Sequence, residues 1–452
     1  MSTGRPESCV PADKRPISLR IALAQSPGVL RLALVRFTGQ FGDGMFQAAL
    51  SGAILFNPER ETDPLAIAAA FAVLLLPYSL IGPYAGALLD RWDRRAVLLV
   101  ANMLRAVLIA AVGVGLLAGA GETPLLLLAL AVVGVSRFVL AGVSAALPRV
   151  LDQHWLVPAN SVLATVASAC AGVGAAAAVS IIGLIGTGDF ASAIAVGVSG
   201  IWSVIGAVLA TGFGAQVLGP EARTSARDSV VRAIATGLHT GAKAVWGSIQ
   251  VTTAMLGIGA HRIVFGCNTL IMVLVLRQAP TDSSGMNNGL TRFGVAIGAT
   301  AAGMLVAALV APLLISRLGR PRTVIVGLLT AMVVQLALVT PTALAEAGPA
   351  AHRAHQLLLA GAFLFGLAGQ TIKLTGDATM QINVDDTRRG QVFALQDTVF
   401  NIAFVLAIAI TALVIPADGR SLAVVLTGAG IYCAGIVAIA LNSRRARVAG
   451  ST

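Results

Sequence analysis

Long apolar runs alternate with short polar segments along the whole chain. A helix that crosses a bilayer needs about 20 apolar residues, and seven runs of that length contain no charged residue: Pro64–Leu89, Trp155–Gly188, Phe190–Pro220, Phe293–Ser316, Thr323–Ala345, Thr398–Ala417 and Ser421–Ser443. Five further runs carry one or two internal charges, at about 31–57, 96–119, 123–148, 248–276 and 355–380. The pattern predicts an all-α membrane protein with twelve transmembrane helices.

The distribution of lysine and arginine indicates the orientation of these helices, because cytoplasmic loops of membrane proteins are enriched in both. With the N-terminus in the cytoplasm, 21 of the 31 basic residues fall in cytoplasmic segments and 4 in external loops. An error of one helix would invert every later loop and remove this asymmetry. We therefore expect a multi-pass protein of the bacterial inner (plasma) membrane with both termini in the cytoplasm.

The longest polar interruption divides the chain into two halves. Its apolar and charged positions are spaced as in an amphipathic helix that lies on the cytoplasmic surface. The halves are also similar to each other, because Leu88–Arg95 aligns with Leu314–Arg322 about half a chain length away. Internal repeats of this kind are typical of transporters, in which substrate binds between two bundles. We expect two pseudo-symmetric six-helix bundles, with boundaries at 1–30 (tail), 31–213 (bundle), 214–247 (linker), 248–443 (bundle) and 444–452 (tail).

Composition excludes several other classes of protein. Hydrophobic residues make up 57% of the chain and charged residues 11%, with a mean hydropathy of +0.86, whereas a soluble domain carries about 25% charged residues. The net charge of +11 does not indicate a nucleic-acid partner, because the basic residues lie in short segments between apolar runs. The four cysteines are far apart, and we find no metal-ligand spacing, phosphate-binding loop or catalytic motif. We expect neither enzymatic activity nor a metal or cofactor.

One polar segment carries a recognisable motif. The segment Gly86–Arg95 (GALLDRWDRR) resembles the signature loop of the major facilitator superfamily, and the resemblance extends over nearly the whole chain. The family's usual glycine before the last two basic residues is replaced by Asp93. The resemblance implies a cytoplasmic gate that latches the two halves during alternating access. Its residues would be Gly86, Asp90, Arg91, Arg94 and Arg95, together with Arg317, Arg320 and Arg322 of the second copy; the alternative is a basic loop that only sets topology.

Three further segments are similar to the bacterial drug- and siderophore-efflux branch of that superfamily. They are Phe41–Asp43, Val157–Ser161 and Arg389–Phe393. The fifth predicted helix, however, lacks the Gly-Pro motif associated with antiporters, which weakens an assignment to proton exchange. The resemblance therefore implies a transporter, and the branch and the coupling ion are hypotheses.

Nine ionisable residues lie inside the predicted spans, where each charge costs about 2.5–3.5 kcal/mol on insertion scales. Seven of them fall on the helices that line the central cavity in the superfamily. We expect a site for proton and substrate that contains Asp43, Gln40, Gln47, Arg137, His261, Arg262, Lys373 and Asp377. We expect the other three charges to be less important: Arg36 and Arg105 would reach toward the cytoplasm, and Asp397 would begin a helix or join the latch through Arg91 or Arg95.

The individual roles remain open between alternatives. Asp43 is the best candidate for a protonatable group, unless it forms a structural ion pair with Arg137 or Arg262. These two arginines would hold an anionic group of the substrate or pair with Asp43. Lys373 and Asp377 are four residues apart on one helix face, as in an interfacial salt bridge.

His261 has its own pair of alternatives. It would titrate near neutral pH, or it would be a hydrogen-bonded packing residue. The sequence alone does not decide between them.

The leading functional hypothesis is a secondary active transporter that works by alternating access and exports a small amphipathic or hydrophobic compound. Protons would be the coupling ion, the lipid bilayer the environment, and the protein a monomer. An importer or lysophospholipid flippase of the same fold is the first alternative. A membrane sensor or scaffold without transport is the second, although a scaffold gains nothing from charges inside the membrane.

Overall fold

The computed structural model describes residues 27–56, 63–73, 92–151, 156–186, 188–219, 230–277, 289–345 and 348–449, and within these ranges it is helical, with no strand. The helices are α1 (Pro27–Leu55), α2 (Pro64–Val73), α3 (Arg94–Leu117), α4 (Glu122–Ala146), α5 (Leu156–Ile185), α6 (Asp189–Thr211), α7 (Val230–Gly247), α8 (Ile249–Arg277), α9 (Gly289–Leu318), α10 (Arg320–Leu344), α11 (Gly348–Asn383), α12 (Asp386–Val414) and α13 (Leu422–Ala449). Helix α4 continues into a 3-10 turn at Leu147–Arg149.

Ten of these helices are long and apolar enough to cross a membrane, namely α3–α6 and α8–α13. Helix α1 has 29 residues, which is sufficient length, but Gln40, Asp43 and Gln47 interrupt its apolar sequence. The described part of α2 ends at Val73, and the rest of the predicted run to Leu89 lies outside the described residues. The all-helical membrane fold is confirmed, and the prediction of twelve spans depends on α1 and α2 in addition to these ten.

The helices pack in two groups that correspond to the order of the chain. In the first half, α1 packs on α5 and α6, and α3 packs on α4 and α6; in the second half, α8 packs on α11, α12 and α13, and α9 packs on α11. Helix α7 lies between the halves in sequence and packs on α12 of the second half. It contacts α12 closely, since a Cβ added at Gly241 would lie 2.8 Å from the carbonyl oxygen of Gln391.

The two halves contact each other at one end of the molecule, where α1 and α8 end; we call it the far end. There the Phe56 and Phe293 rings lie 5.1 Å apart. Arg277 donates from Nη1 to the carbonyl oxygen of Leu55 at 3.0 Å, and it interacts electrostatically with Glu122 of the first half. The opposite end, where α6 ends and α7 and the start of α8 lie, is the linker end.

Within the described residues, each half contains a pair of helices that approach closely through two glycines. A Cβ added at Gly44 of α1 would overlap the carbonyl oxygen of Ala171 on α5, and a Cβ at Gly174 would overlap that of Phe41. The backbones touch because glycine lacks a Cβ, as at helix crossings of other membrane proteins. This crossing fixes α1 against α5 directly beside Asp43.

The second half has a contact of the same kind between α9 and α11. A Cβ at Gly303 would overlap the carbonyl oxygen of Phe363, and a Cβ at Gly366 would overlap that of Thr300. In both crossings each carbonyl lies three residues before the glycine of its own helix. We call the two contacts the glycine crossings.

Helix α10 contains a π-helical turn at Gln335–Val339. The side chain of Gln335 is fully buried and accepts a hydrogen bond from Asn268 Nδ2 at 2.6 Å, while its Nε2 donates to the carbonyl oxygen of Val425 at 3.2 Å. This amide therefore ties α8, α10 and α13 together.

Candidate functional site

The first half contains a buried ion pair near the middle of α1. Arg105 Nη2 of α3 lies 3.2 Å from Asp43 Oδ1, and the side chains are 1% and 8% exposed. Gln40 Nε2 donates to the other carboxylate oxygen at 3.1 Å, and Arg105 also donates to the carbonyl oxygen of Gly39 at 3.2 Å. Asp43 thus has a charge partner and an amide partner, both inside the helix bundle.

This geometry corrects two expectations from the sequence. Arg105 does not reach toward the aqueous phase, because its side chain is almost completely buried against α1. The ion-pair partner of Asp43 is therefore Arg105 rather than Arg137 or Arg262, the two alternatives that the sequence suggested. Arg137 is half-buried on α4, and Gln47 is half-buried on α1 one turn beyond Asp43.

The guanidinium of Arg105 reaches Asp43 because the neighbouring residue of α1, Gly42, has no side chain. A Cβ at Gly42 would lie 2.9 Å from Arg105 Nη2, so a larger residue there would displace the arginine. The Phe41 and Trp202 rings, 4.4 Å apart, close the same region between α1 and α6. Two sequence features could have pointed to this pair, an arginine inside a predicted span and the glycines at 39 and 42 beside Asp43. The sequence does not show, however, which helix packs on these glycines.

The second half contains a second group of charges between α8, α11 and α12. Arg262 of α8 donates from Nη2 to Asn401 Oδ1 at 3.1 Å. Its guanidinium lies over the Phe404 ring, 4.9 Å from the ring centre, which is a cation–π contact. Arg262 as a whole is half-buried.

Lys373 and Asp377 form the i,i+4 ion pair that their spacing predicted. Lys373 Nζ lies 2.6 Å from Asp377 Oδ2, with side chains 48% and 21% exposed, and Gln396 Nε2 donates to Asp377 Oδ1 at 3.3 Å. Asp397 interacts electrostatically with Lys373, Asp377 and Arg262. The group therefore holds two positive and two negative side chains, and Asp397 belongs to it. Asp397 lies in the interior of α12 rather than at its start, and Arg91, one of its two expected latch partners, lies outside the described residues.

His261 lies in a packed aromatic cluster. Its Nδ1 is 3.1 Å from the hydroxyl oxygen of Tyr432, and its ring stacks on Phe265 and contacts Phe365. A Cβ at Gly369 would overlap the imidazole. The geometry is that of the hydrogen-bonded packing residue, which was one of the two alternatives for this histidine.

Three residues of the predicted gate, Gly86, Asp90 and Arg91, lie outside the described residues. Arg94 Nη1 donates to the carbonyl oxygens of Ala145 at 2.8 Å and Leu218 at 3.3 Å. Arg95 Nη2 donates to the carbonyl oxygen of Thr211 at 3.2 Å. These carbonyls lie in the last turns of α4 and α6 or just beyond α6, where a positive side chain is favourable for the helix dipole.

Asp93, the departure from the family motif, has a local structural role. It is the N-cap of α3, and its carboxylate accepts a hydrogen bond from the Arg95 backbone N–H at 3.1 Å. An aspartate in this position satisfies a backbone donor that glycine would leave to water.

The second copy of the motif lies at the linker end of the second half. Arg317 and Arg322 are exposed, whereas Arg320 is half-buried and lines a cavity. In the parts of the chain that the structure describes, no group of three or more His, Cys, Asp and Glu side chains could hold a metal ion.

Comparisons with known proteins agree with this architecture. The model of the Major Facilitator Superfamily matches residues 32–407. An uncharacterized MFS-type transporter of Mycobacterium tuberculosis is 40% identical over 440 residues, which cover 96% of this chain and 95% of that protein. Two solved structures share the fold alone: the nucleoside transporter NupG (TM-score 0.64, 15% identity, 91% of this chain and 98% of that one) and a variant of the peptide transporter POT (TM-score 0.67, 14% identity, 95% and 99%).

Proposed function

Since the chain belongs to the Major Facilitator Superfamily and is a multi-pass membrane transporter, we propose that it exports a small amphipathic or hydrophobic compound in exchange for protons. The observation that carries this proposal is the buried ion pair of Asp43 and Arg105 in the centre of the first half. A carboxylate and a guanidinium are costly to bury. A transporter can use that cost, because the charge state of Asp43 changes the stability of one conformation relative to another.

Asp43 is the group that exchanges protons in this mechanism. While it is ionised, it holds Arg105 and keeps α3 against α1. Protonation removes the charge attraction between the two side chains, while Arg105 keeps its hydrogen bond to the carbonyl oxygen of Gly39. A proton can shift a conformational equilibrium only through such a difference between states, and this pair supplies one.

The substrate binds against the charged group of the second half. The formal charges of Arg262, Lys373, Asp377 and Asp397 sum to zero, so a neutral polar head or a zwitterionic one is accommodated without an excess of either sign. The Phe404 ring beside Arg262 offers an apolar surface for the rest of the molecule. Arg137 and Gln47 of the first half are candidates for further polar contacts.

Two six-helix bundles, 31–213 and 248–443, rock about this central region. In the described conformation the halves meet at the far end through Arg277, Phe56 and Phe293, which supports access to the central region from the linker end. Closure of the linker end would use Gly86–Arg95 and Arg317–Arg322. Both termini are then cytoplasmic, in the inner membrane of a bacterium, and the monomer is the working unit.

The test needs a substrate and a proton readout. Comparison of metabolites inside and outside cells with and without this gene identifies the exported compound. That compound is then added to everted vesicles that contain a pH-sensitive dye. We expect substrate-driven proton movement with the natural chain and its loss in Asp43→Asn.

Asp63→Asn is the matched control, because Asp63 is exposed before α2 and, among the described residues, its carboxylate accepts a single local hydrogen bond, from the Leu65 backbone N–H. Proton movement in this control should equal that of the natural chain. Unchanged proton movement in Asp43→Asn would remove Asp43 from the mechanism. If proteoliposomes show no solute flux at all, transport is the wrong function and a sensor or scaffold is favoured.

A further inference from the structure

A cavity of about 270 Å³ opens at the linker end of the second half. It lies between the start of α8, the end of α9, the turn into α10 and the last turns of α11. The residues that line it are Gln250, Thr253, Ala254, Ile315, Gly319, Arg320, Pro321, Val324 and Thr379. No acidic residue is among them.

Arg320 is the charged side chain of this cavity. It is half-buried, and its guanidinium makes no hydrogen bond or ion pair in the parts of the chain that the structure describes. A partly desolvated charge is stabilised by an opposite charge, and the planar guanidinium binds carboxylate and phosphate oxygens in pairs. Arg320 also begins α10, whose N-terminus adds partial positive charge to the same edge.

The rest of the lining divides into polar and apolar parts. Gln250 supplies an exposed amide, whereas the Thr253 hydroxyl already accepts from Asn442 Nδ2 at 3.1 Å and the Thr379 hydroxyl donates to the carbonyl oxygen of Thr375 at 2.7 Å. Ala254, Ile315 and Val324 present only hydrocarbon. A ligand of this cavity therefore has one anionic end and an apolar body.

We propose that this cavity binds a small amphipathic anion, with a phosphate or carboxylate head on Arg320 and its apolar body against Ala254, Ile315 and Val324. Its volume is just below the range of about 300–1,000 Å³ typical of pockets for drug-sized ligands, so a head group with a short chain fills it. Such a head belongs either to a membrane lipid or to a soluble metabolite.

This site is separate from the proposed transport site. Thr379 lies two residues after Asp377 on α11, a rotation of about 200° around the helix axis, so the cavity and the Lys373–Asp377 pair face different sides of α11. Arg320 is also one of the residues proposed to close the linker end, but binding to the cavity is measured on the purified protein and needs no transport.

The test uses the full chain, purified in a neutral maltoside detergent, and follows its thermal unfolding. The probes are hexyl phosphate, inorganic phosphate and hexanol. We expect hexyl phosphate to raise the unfolding midpoint, as a ligand of the folded state does, and hexanol to have no such effect. In Arg320→Gln the apparent affinity for hexyl phosphate should fall at least tenfold.

Arg322→Gln is the matched control, because Arg322 is exposed two residues away and does not line the cavity. It should bind hexyl phosphate like the natural chain. Equal stabilisation of the natural chain and Arg320→Gln, or equal effects of hexanol and hexyl phosphate, would overturn the proposal. So would the absence of any shift with the natural chain.

A second pair of variants keeps Arg320 and changes only the space beside it. Ile315→Trp should fill part of the cavity and weaken binding, whereas Leu313→Trp, on the exposed side of α9, should not. Unchanged binding in Ile315→Trp counts against the cavity as the site.

Nanodiscs identify the source of the ligand. If phosphatidylglycerol nanodiscs abolish the effect of hexyl phosphate and phosphatidylcholine nanodiscs preserve it, the natural occupant is a lipid head. If both preserve it, the occupant is a soluble anion.

Discussion

Arg105 of α3 and Asp43 of α1 form an ion pair of 3.2 Å from which solvent is almost excluded. Removal of one partner from a buried pair leaves an uncompensated charge and costs about 3–5 kcal/mol, whereas replacement of both is often close to neutral. We expect Asp43→Asn and Arg105→Gln each to lower the thermal unfolding midpoint. The double variant should recover much of the loss, and thermal unfolding in detergent measures the four proteins of this cycle.

Additive losses in the double variant would contradict that prediction, because independent side chains add. The double variant also separates stability from mechanism. It should fold well and still lack substrate-driven proton movement.

The glycine crossings predict large effects from a single methyl group. Gly44→Ala and Gly303→Ala place a Cβ against a backbone carbonyl, and overpacking of this kind costs about 1–3 kcal/mol. We expect lower unfolding midpoints and reduced expression of both variants.

The controls lie on the same pair of helices as each crossing. Gly172 of α5 and Gly298 of α9 have open space where a Cβ would go. Alanine favours a helix over glycine by about 1 kcal/mol, so Gly172→Ala and Gly298→Ala should be neutral or slightly stabilising. If all four variants behave alike, the crossings are not the tight contacts described.

The variant Lys373→Met tests whether the ion pair of Lys373 with Asp377 is needed for transport. Exposed pairs contribute at most about 1 kcal/mol, and Lys373 is nearly half exposed, so Lys373→Met should change stability little. Since the substitution leaves Asp377 and Asp397 with one cation fewer, we expect a clear loss of transport. Lys243→Met on the exposed face of α7 is the control. Normal transport by Lys373→Met would reduce the pair to an interfacial salt bridge.

We expect substitution of Gln335 to lower the stability of the protein, although Gln335 is not part of the proposed transport mechanism. Gln335→Leu leaves the amide N–H of Asn268 and the carbonyl of Val425 without their partner, at a cost of about 1–3 kcal/mol for a buried polar group. Leu336→Met, on the exposed neighbour, should be neutral. We expect the double variant Asn268→Leu with Gln335→Leu to lose less than the sum of the single changes, as thermal unfolding can show.

Helical spans are predictable from this sequence because their determinants are local. The run Phe190–Pro220 contains all of α6 except its first residue, and the spacing of apolar and charged positions in 214–247 indicated a helix where the structure has α7. The ion pair of Lys373 and Asp377 is predictable for the same reason, because side chains four positions apart on one helix lie on the same face and can contact each other.

Contacts between distant segments were not predictable in the same way. Arg105 was recognised as an intramembrane charge, but its partner depends on the rotation of α3 about its own axis relative to α1. Asp397 was assigned to a helix start or to the latch, whereas packing of α12 on α8 brings it within electrostatic range of Arg262. Successive side chains of a helix point about 100° apart, so the partner of a residue depends on how the helix is rotated about its axis. No local pattern in a single sequence reveals that rotation.

Within the described residues, the glycine crossings lie on different pairs of helices in the two halves. In the first half the backbones touch between the first and fifth helices, and in the second half between the second and fourth helices of that half. Helices whose backbones touch cannot slide past each other unless the contact opens. Loosening one crossing would therefore free α1 and α5 in the first half, but α9 and α11 in the second.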